Sequence, residues 1–242
     1  MRKASENTPL VSIVTVVLNG IHALEKTLLS VRAQLNNDVE YIVVDGGSTD
    51  GTVELIQRHE DYIDHWSSGP DKGIYDALNK GIKLTRGHFF YVLNVGDELV
   101  ALPYAELLEA RKKNADVVLF SVLFSDGRIF RSTIDYRTRF GNTIHHQGAF
   151  YRRELNIVFD LAYKVFSDFD VNQKLFIQRK NFMSFDKVIS RHSLDGVSNE
   201  RKNFSEYLSV IRKNFGTFWV VVGFIYVKQG ELRRSIKLWL GS

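Results

Sequence analysis

Unbroken apolar runs and periodic amphipathic runs alternate along the first hundred residues. Residues 10 to 18, Leu-Val-Ser-Ile-Val-Thr-Val-Val-Leu, are almost wholly apolar and β-branched and stop at Asn19-Gly20, the pattern of a buried strand. Leu24, Leu28, Val31 and Leu35 then recur at i, i+4, i+7 and i+11, one face of a helix. Tyr41 to Val44 reads as a second strand, followed by a helix carrying Val53, Leu55 and Ile56. Ile63 to Trp66 reads as a third, followed by a helix from about Gly73 to Arg86 with Ile74, Leu78, Ile82 and Thr85 on one side. Gly87 stands where a helix C-terminal glycine would, and Phe89 to Asn94 is rich in aromatic and β-branched residues, as a central strand is. Three strand–helix units converging on a fourth strand predict an α/β fold with an open sheet flanked by helices.

Ligands of such sheets bind outside the carboxyl ends of the strands, so the turns after the apolar runs matter most. The second run ends at Asp45-Gly46-Gly47-Ser48-Thr49-Asp50-Gly51-Thr52, a glycine-rich turn opening a helix, where backbone donors favour anions. A helix start capped by Thr49 or Asp50 explains one of these residues and leaves Asp45 and the paired glycines without a role. The fourth run ends at Asn94-Val95-Gly96-Asp97-Glu98, which either reverses the chain at the surface or delivers Asp97 and Glu98 into a crevice.

Beyond it, Pro103 suits a first helical position and a helix extends to about Lys113. Ala115 to Phe124 and Arg128 to Thr133 flank Ser125-Asp126-Gly127 as a hairpin. A helix from Asp168 to Lys180 offers Phe169, Leu175 and Phe176 to a core, and Asp168 and Asp170 at its start suit the helix dipole as well as chemistry. His145-His146 invites a metal reading, but neighbours on regular structure point apart. Residues 203 to 242 read as two helices. The uncharged run Phe218 to Val227 is too short to span a bilayer, and Lys228 to Leu240 sets Arg233, Arg234 and Lys237 beside Leu232, Ile236 and Trp239, an amphipathic pattern suited either to an anionic membrane surface or to packing on the domain.

Composition narrows the chemistry. With 242 residues and 44% hydrophobic content, the chain can bury one large domain with a small appendage. It has no cysteine, so disulfides, thiolate zinc sites and cysteine nucleophiles are excluded. Met1 to Pro9 holds Arg2 and Lys3 without an apolar segment and does not read as a secretory signal. The net charge of +4 is too small to imply nucleic acid. No Gly-x-Gly-x-x-Gly follows the first strand and no Walker lysine loop is present, which argues against a dehydrogenase or a P-loop enzyme.

Four stretches, in order, resemble one family, the inverting family 2 glycosyltransferases, over residues 10 to about 200. Val11 to Asn19, with Val17 and Asn19 at its end, is similar to the family's first strand. Val43 to Thr52, with Asp45, Gly46 and Ser48, looks like its nucleotide loop. Gly69 to Gly81 (Gly-Pro-Asp-Lys-Gly-Ile-Tyr-Asp-Ala-Leu-Asn-Lys-Gly), with Asp71, Lys72 and Asn79, resembles the branch that builds bacterial exopolysaccharides such as colanic acid. Asn94-Val95-Gly96-Asp97 takes the place of the Asp-any-Asp metal motif. His146-Gln147 and Ser167-Asp168-Phe169-Asp170 resemble the acceptor-side His-Gln and the catalytic base, and Gly196-Val197-Ser198 a late loop near the donor phosphates. The resemblance implies a GT-A domain over residues 1 to 200, its nucleotide-sugar half about 10–100 and its acceptor half about 101–200, with a helical tail from 201 to 242.

The resemblance assigns Asp97 to a divalent cation, Mn2+ or Mg2+, that stabilises the leaving diphosphate, and Asp168 to the base that deprotonates the acceptor, with inversion at the anomeric carbon. His146, Gln147 and Asp170 fall on the acceptor side; Lys72 and Arg153 are candidate phosphate or acceptor contacts. Two departures stand out. Gly46 replaces the second of two aspartates that read the base, and Asn94 and Gly96 replace carboxylates of the metal motif. The implied partners are a nucleotide diphosphate sugar, with UDP favoured, and a saccharide acceptor, polyprenyl-diphosphate linked, at the cytoplasmic face of the plasma membrane with peripheral contact through the tail. The thinned metal motif also suits a non-catalytic nucleotide-sugar binding subunit, whereas the missing dinucleotide fingerprint disfavours an oxidoreductase.

Overall fold

A computed structural model describes residues 8–193 and 203–240, with side chains described through residue 229. Among the described residues nine strands form one mixed sheet. The apolar runs become β1 (Val11–Val17), β2 (Val39–Asp45) and β4 (Phe89–Val92), every residue of which is buried. β3 (His65–Ser68) lies two residues later than the apolar pattern predicts. The order along the sheet is β3-β2-β1-β4, then β8 (Ala149–Arg152), β6 (Val117–Phe124), β9 (Phe182–His192) and β5 (Glu98–Leu99), with β7 (Ile129–Arg131) paired to β6 as the predicted hairpin.

Strand direction decides what meets at the site. β1 pairs parallel with both β2 and β4, so the turns after all three leave one edge of the sheet. β8 runs antiparallel to β4 and β6 antiparallel to β8, while β9 is parallel to β6. The end of β9 and the beginning of β8 therefore reach that same edge. The sequence reading missed β9, because only Ile189 and Ser190 of its eleven residues are fully buried and its pairing to β6 shifts register on either side of Ser121.

The helices fill both faces. α1 (Ile21–Arg32) buries Leu24, Leu28 and Val31, and Leu35 falls beyond its end. α2 (Thr52–Arg58) buries Leu55 and Ile56. α3 (Ile74–Leu84) buries Tyr75, Ala77 and Leu78 instead of Ile74, which is 43% exposed. Gly87 is not a helix cap: Thr85 is already extended, and a Cβ on Gly87 would lie 2.6 Å from the backbone nitrogen of Ser12, so glycine there permits β4 to start against β1. α4 (Tyr104–Lys112) begins just after Pro103.

α5 (Ser167–Ile177) is a helix buried almost from its first turn, and α6 (Phe204–Phe215) covers it. Phe169 stacks on Tyr207 at 5.2 Å, beside buried Val210 and Ile211. Glu206 of α6 accepts the backbone N–H groups of Lys164, Val165 and Phe166 and so fixes the approach to Asp168. α7 (Thr217–Leu240) follows the Gly216 turn. Of the predicted basic face over Lys228 to Leu240 only the side chains of Lys228 and Gln229 are described, both exposed, and the loop Gly196-Val197-Ser198 lies outside the described residues. Among the described residues no helix is long and apolar enough to cross a membrane.

Candidate functional site

The first half of the site is a set of interlocked turns. Asp45, at the end of β2, is buried; its Oδ2 accepts from Gly47 N and Ser48 N at 2.9 Å and from Ser68 Oγ at 2.6 Å, and its Oδ1 accepts from Ser48 Oγ. Burial works against ionisation, but these donors outweigh it and hold the carboxyl below the usual range. Asp45 is thus an anion committed to shaping its own loop. The loop is latched to the end of β1: Asn19 N donates to Ser48 Oγ at 2.7 Å, Thr49 N donates to Asn19 Oδ1 at 3.0 Å, and Gly46 N donates to Val17 O at 2.8 Å. The N-cap of α2 is Gly51 and not Thr49 or Asp50; Asp50 instead accepts from Thr52 N at 3.1 Å, two residues on, and steadies the turn ahead of the helix.

Gly46 has a neighbour that the sequence did not reveal. A Cβ built on it would lie 2.4 Å from Oδ2 of Asp71, whose Oδ1 accepts from Gly73 N at 2.7 Å. The β3–α3 loop therefore fills, with Asp71, the space that a side chain at position 46 would take. Lys72 is exposed beside it. Asn79 is otherwise engaged: its amide nitrogen donates to Phe159 O and its oxygen accepts from Phe159 N, both at 2.8 Å. That side chain braces the loop around Phe159.

The second half gathers around Asp97. Thr27 of α1 receives Gly96 N at 2.9 Å and donates to Asp97 O at 2.8 Å, pinning a turn in which Gly96 has φ +88°. Asp97 is 3% exposed; it accepts from Ser193 N at 2.7 Å and from the amide nitrogen of Gln147, and lies 3.2 Å from Nδ1 of His192. Val95 packs on the core at this turn, and Glu98 turns away to pair with Lys26 at 2.8 Å.

Three histidines meet here. His145 and His146 precede β8 in a 3-10 turn, so their rings stack at 5.1 Å instead of diverging, and His192 lies edge-on to His145 at 4.8 Å. His145 accepts from Gln147 N through Nδ1, and burial followed by its two histidine neighbours pushes its pKa well down, so it is neutral. The Asn94 amide nitrogen is 2.9 Å from Nε2 of His146, which leaves the His146 proton on Nδ1, 3.3 Å from Oδ2 of Asp168. Asp168 also lies 3.4 Å from the hydroxyl of Tyr75, a group that burial keeps protonated. A cleft of about 200 Å³ contains Asn94, His146, His192 and Asp168 among its walls, with Ile74 and Phe159 supplying apolar surface.

Two residues assigned by resemblance lie elsewhere. Asp170 faces α6, paired with Lys174 at 2.6 Å and accepting from Asn214 at 3.0 Å, one turn-side away from the cleft. Arg153 follows β8 at the opposite edge of the sheet, where Arg152 pairs with Phe89. Conversely His145 and His192 were not foreseen as site residues.

The donors near Asp97 are of the type a divalent cation takes. They combine a carboxylate, an imidazole and the side-chain oxygens of Gln147 and Asn94, both buried without a hydrogen-bond partner. Among the described residues no three His, Asp or Glu side chains converge as a complete site, so a cation would take its remaining oxygens from a ligand.

The family model described as glycosyl transferase family 2 matches residues 12–176. An uncharacterized glycosyltransferase of Mycobacterium tuberculosis is 39% identical over 92 residues, which is 38% of this chain and only 35% of that protein. A PGL/p-HBAD biosynthesis glycosyltransferase of Mycobacterium bovis is 32% identical over 209 residues, 79% of this chain and 80% of that protein. Among solved structures, S. aureus TarS 1-349 in complex with UDP superposes with a TM-score of 0.65 at 16% identity, covering 84% of this chain and 64% of that one. The mannosyltransferase PcManGT from Pyrobaculum calidifontis, in complex with GDP-Man and Mn2+, gives 0.59 at 15% identity over 86% of this chain and 62% of that one. The match over residues 12–176, the relative covered to four-fifths and the shared fold identify the chain as a member of glycosyl transferase family 2 with a GT-A type fold.

Proposed function

We propose that the chain transfers a sugar from a UDP-sugar to a saccharide carried on a polyprenyl diphosphate, with inversion at the anomeric carbon, in the assembly of a bacterial surface polysaccharide. The observation that carries this reading is the line Asn94–His146–Asp168, a hydrogen bond followed by a 3.3 Å approach of Nδ1 of His146 to the carboxylate, which links the turn holding Asp97 to Asp168 across one cleft. An acceptor hydroxyl in the cleft attacks C1 of the donor sugar while Asp168 takes its proton; the bond from C1 to the diphosphate oxygen breaks on the opposite face. His146 holds the carboxylate in place, and the Tyr75 hydroxyl gives it a second polar neighbour. Mn2+ or Mg2+ held by Asp97 and His192 would neutralise charge on the departing diphosphate. Asp71 beside Gly46 supports base recognition, since its carboxylate can accept a base N–H.

The test is calorimetric titration of UDP and GDP with and without Mn2+, followed by turnover assays. UDP should bind in a metal-dependent manner that Asp97→Ala removes. Asp168→Asn should keep donor affinity and lower kcat by about 100- to 10,000-fold. Preference for GDP would overturn the uridine assignment; donor binding with no turnover on any lipid-linked acceptor would make the chain a binding subunit.

A further inference from the structure

The structure assigns a second working surface, outside the cleft and independent of the transfer chemistry. α7 packs on the domain through one side only. Trp219 stacks on Phe140 at 5.7 Å and Tyr226 meets the same ring edge-on at 5.3 Å, while Val222 and Val227 join the cluster beneath α6. The other side is left in water: Phe218 is 71% exposed, Val221 56% and Ile225 49%. These three stand at i, i+3 and i+7, one above another along the helix. Residues 218–227 contain no charged or amide side chain, so the stripe is not the apolar flank of a solvated helix.

Beside the start of this helix lies a groove of about 620 Å³ lined by Arg139, Arg179 and Lys180 together with Phe176 and Phe215, the last being the residue before the Gly216 turn that begins α7. Arg139 spreads over Phe176 at 5.2 Å and Trp219 at 5.4 Å. None of the three cations has an acidic partner among the described residues, although Lys174 and Lys213 close by are both paired. Unpaired cations adjoining an exposed apolar ridge call for a partner that is anionic at its surface and apolar just below. A convex ridge of single side chains also suits a deformable medium better than a preformed pocket.

We propose that α7 and this basic groove dock the protein on an anionic lipid bilayer, with Phe218, Val221 and Ile225 entering the headgroup–acyl boundary and Arg139, Arg179 and Lys180 meeting lipid phosphates. The docking face is thus the first half of α7 with the α5 C-terminus, and not only the basic stretch beyond Lys228. In sequence, Leu232, Ile236 and Trp239 continue the same spacing.

The full chain is tested by co-sedimentation with vesicles of phosphatidylcholine alone and with roughly one-third phosphatidylglycerol. Wild type should pellet with the anionic vesicles and stay in solution with the neutral ones. Joint substitution of Phe218→Ser, Val221→Ser and Ile225→Ser should weaken the partition by about 100-fold. Arg179→Gln with Lys180→Gln should weaken it by about tenfold and flatten its salt dependence. The serine variant alters exposed positions and the glutamine variant one exposed and one half-buried position, and unchanged thermal unfolding would show that both remain folded. Equal binding to neutral vesicles, undiminished binding by the serine variant, or a concentration-dependent dimer that the serine variant abolishes while lipid binding persists would each overturn the proposal.

Discussion

At the scale of single residues, Gly46 and Asp71 show how a loop position can be exchanged for a neighbour. The sequence shows glycine where the family often has a second aspartate, which reads as a lost contact. In three dimensions Asp71 Oδ2 occupies the space that a side chain there would fill. Asp71→Ala should therefore raise the donor Kd by about tenfold, the scale of one hydrogen bond to a charged group, with little change in unfolding temperature. Calorimetry and a thermal melt separate the two effects. Gly46→Asp should also weaken donor binding, since two carboxylates would compete for one space, and Asp71→Ala in that background should restore part of the loss. His145 makes a second prediction. Its folded pKa lies below its unfolded value, so the unfolded chain binds more protons, and stability must fall as pH drops through about 6.5 and below. Urea unfolding of wild type between pH 7.5 and 5 should show this loss, and His145→Gln should reduce the slope. Carboxylates such as Asp45 also lose stability on acidification, but only in the lower range where they protonate.

At the scale of elements, what the sequence disclosed follows from burial. β1, β2 and β4 are buried along their whole length, so their apolar runs are unbroken and were readable. β9 mixes half-exposed and polar residues, Asp186 and Lys187 among them, and pairing to β6 and β5 makes it a strand. His192 was hidden for that reason. The His145-His146 pair misled because local rules for regular structure do not apply in a 3-10 turn. Asp170 misled in the other direction, since its place in the motif says nothing about which side of α5 it leaves. Glu206 is the element-scale determinant that no motif marks. It terminates three backbone N–H groups just ahead of Asp168, so Glu206→Ala should cost about 1–3 kcal/mol of stability and lower kcat more than it changes donor affinity. A fall in donor affinity with unchanged kcat would contradict that role.

At the scale of the molecule, the site is complete only because distant parts of the chain reach one edge of one sheet. The turns after β1, β2 and β4 come from the first hundred residues, the start of β8 and the end of β9 from the second. The tail belongs to this assembly as well. Tyr207, Val210 and Ile211 of α6 are buried against Phe169, the residue after Asp168, and Lys213 reaches Asp160 in the loop before it at 2.9 Å. An appendage that served only to touch membrane would leave α5 intact on removal. Deleting residues 203–242 should instead expose Phe169 and the first turn of α5, at about 1.5–3 kcal/mol for each apolar side chain uncovered. Guanidinium unfolding should show a lower midpoint for the truncated chain, and its turnover should vanish while UDP binding, which the proposed function places at the β1, β2 and β4 turns, is retained. Full turnover by the truncated chain would mean that α5 holds the base without α6.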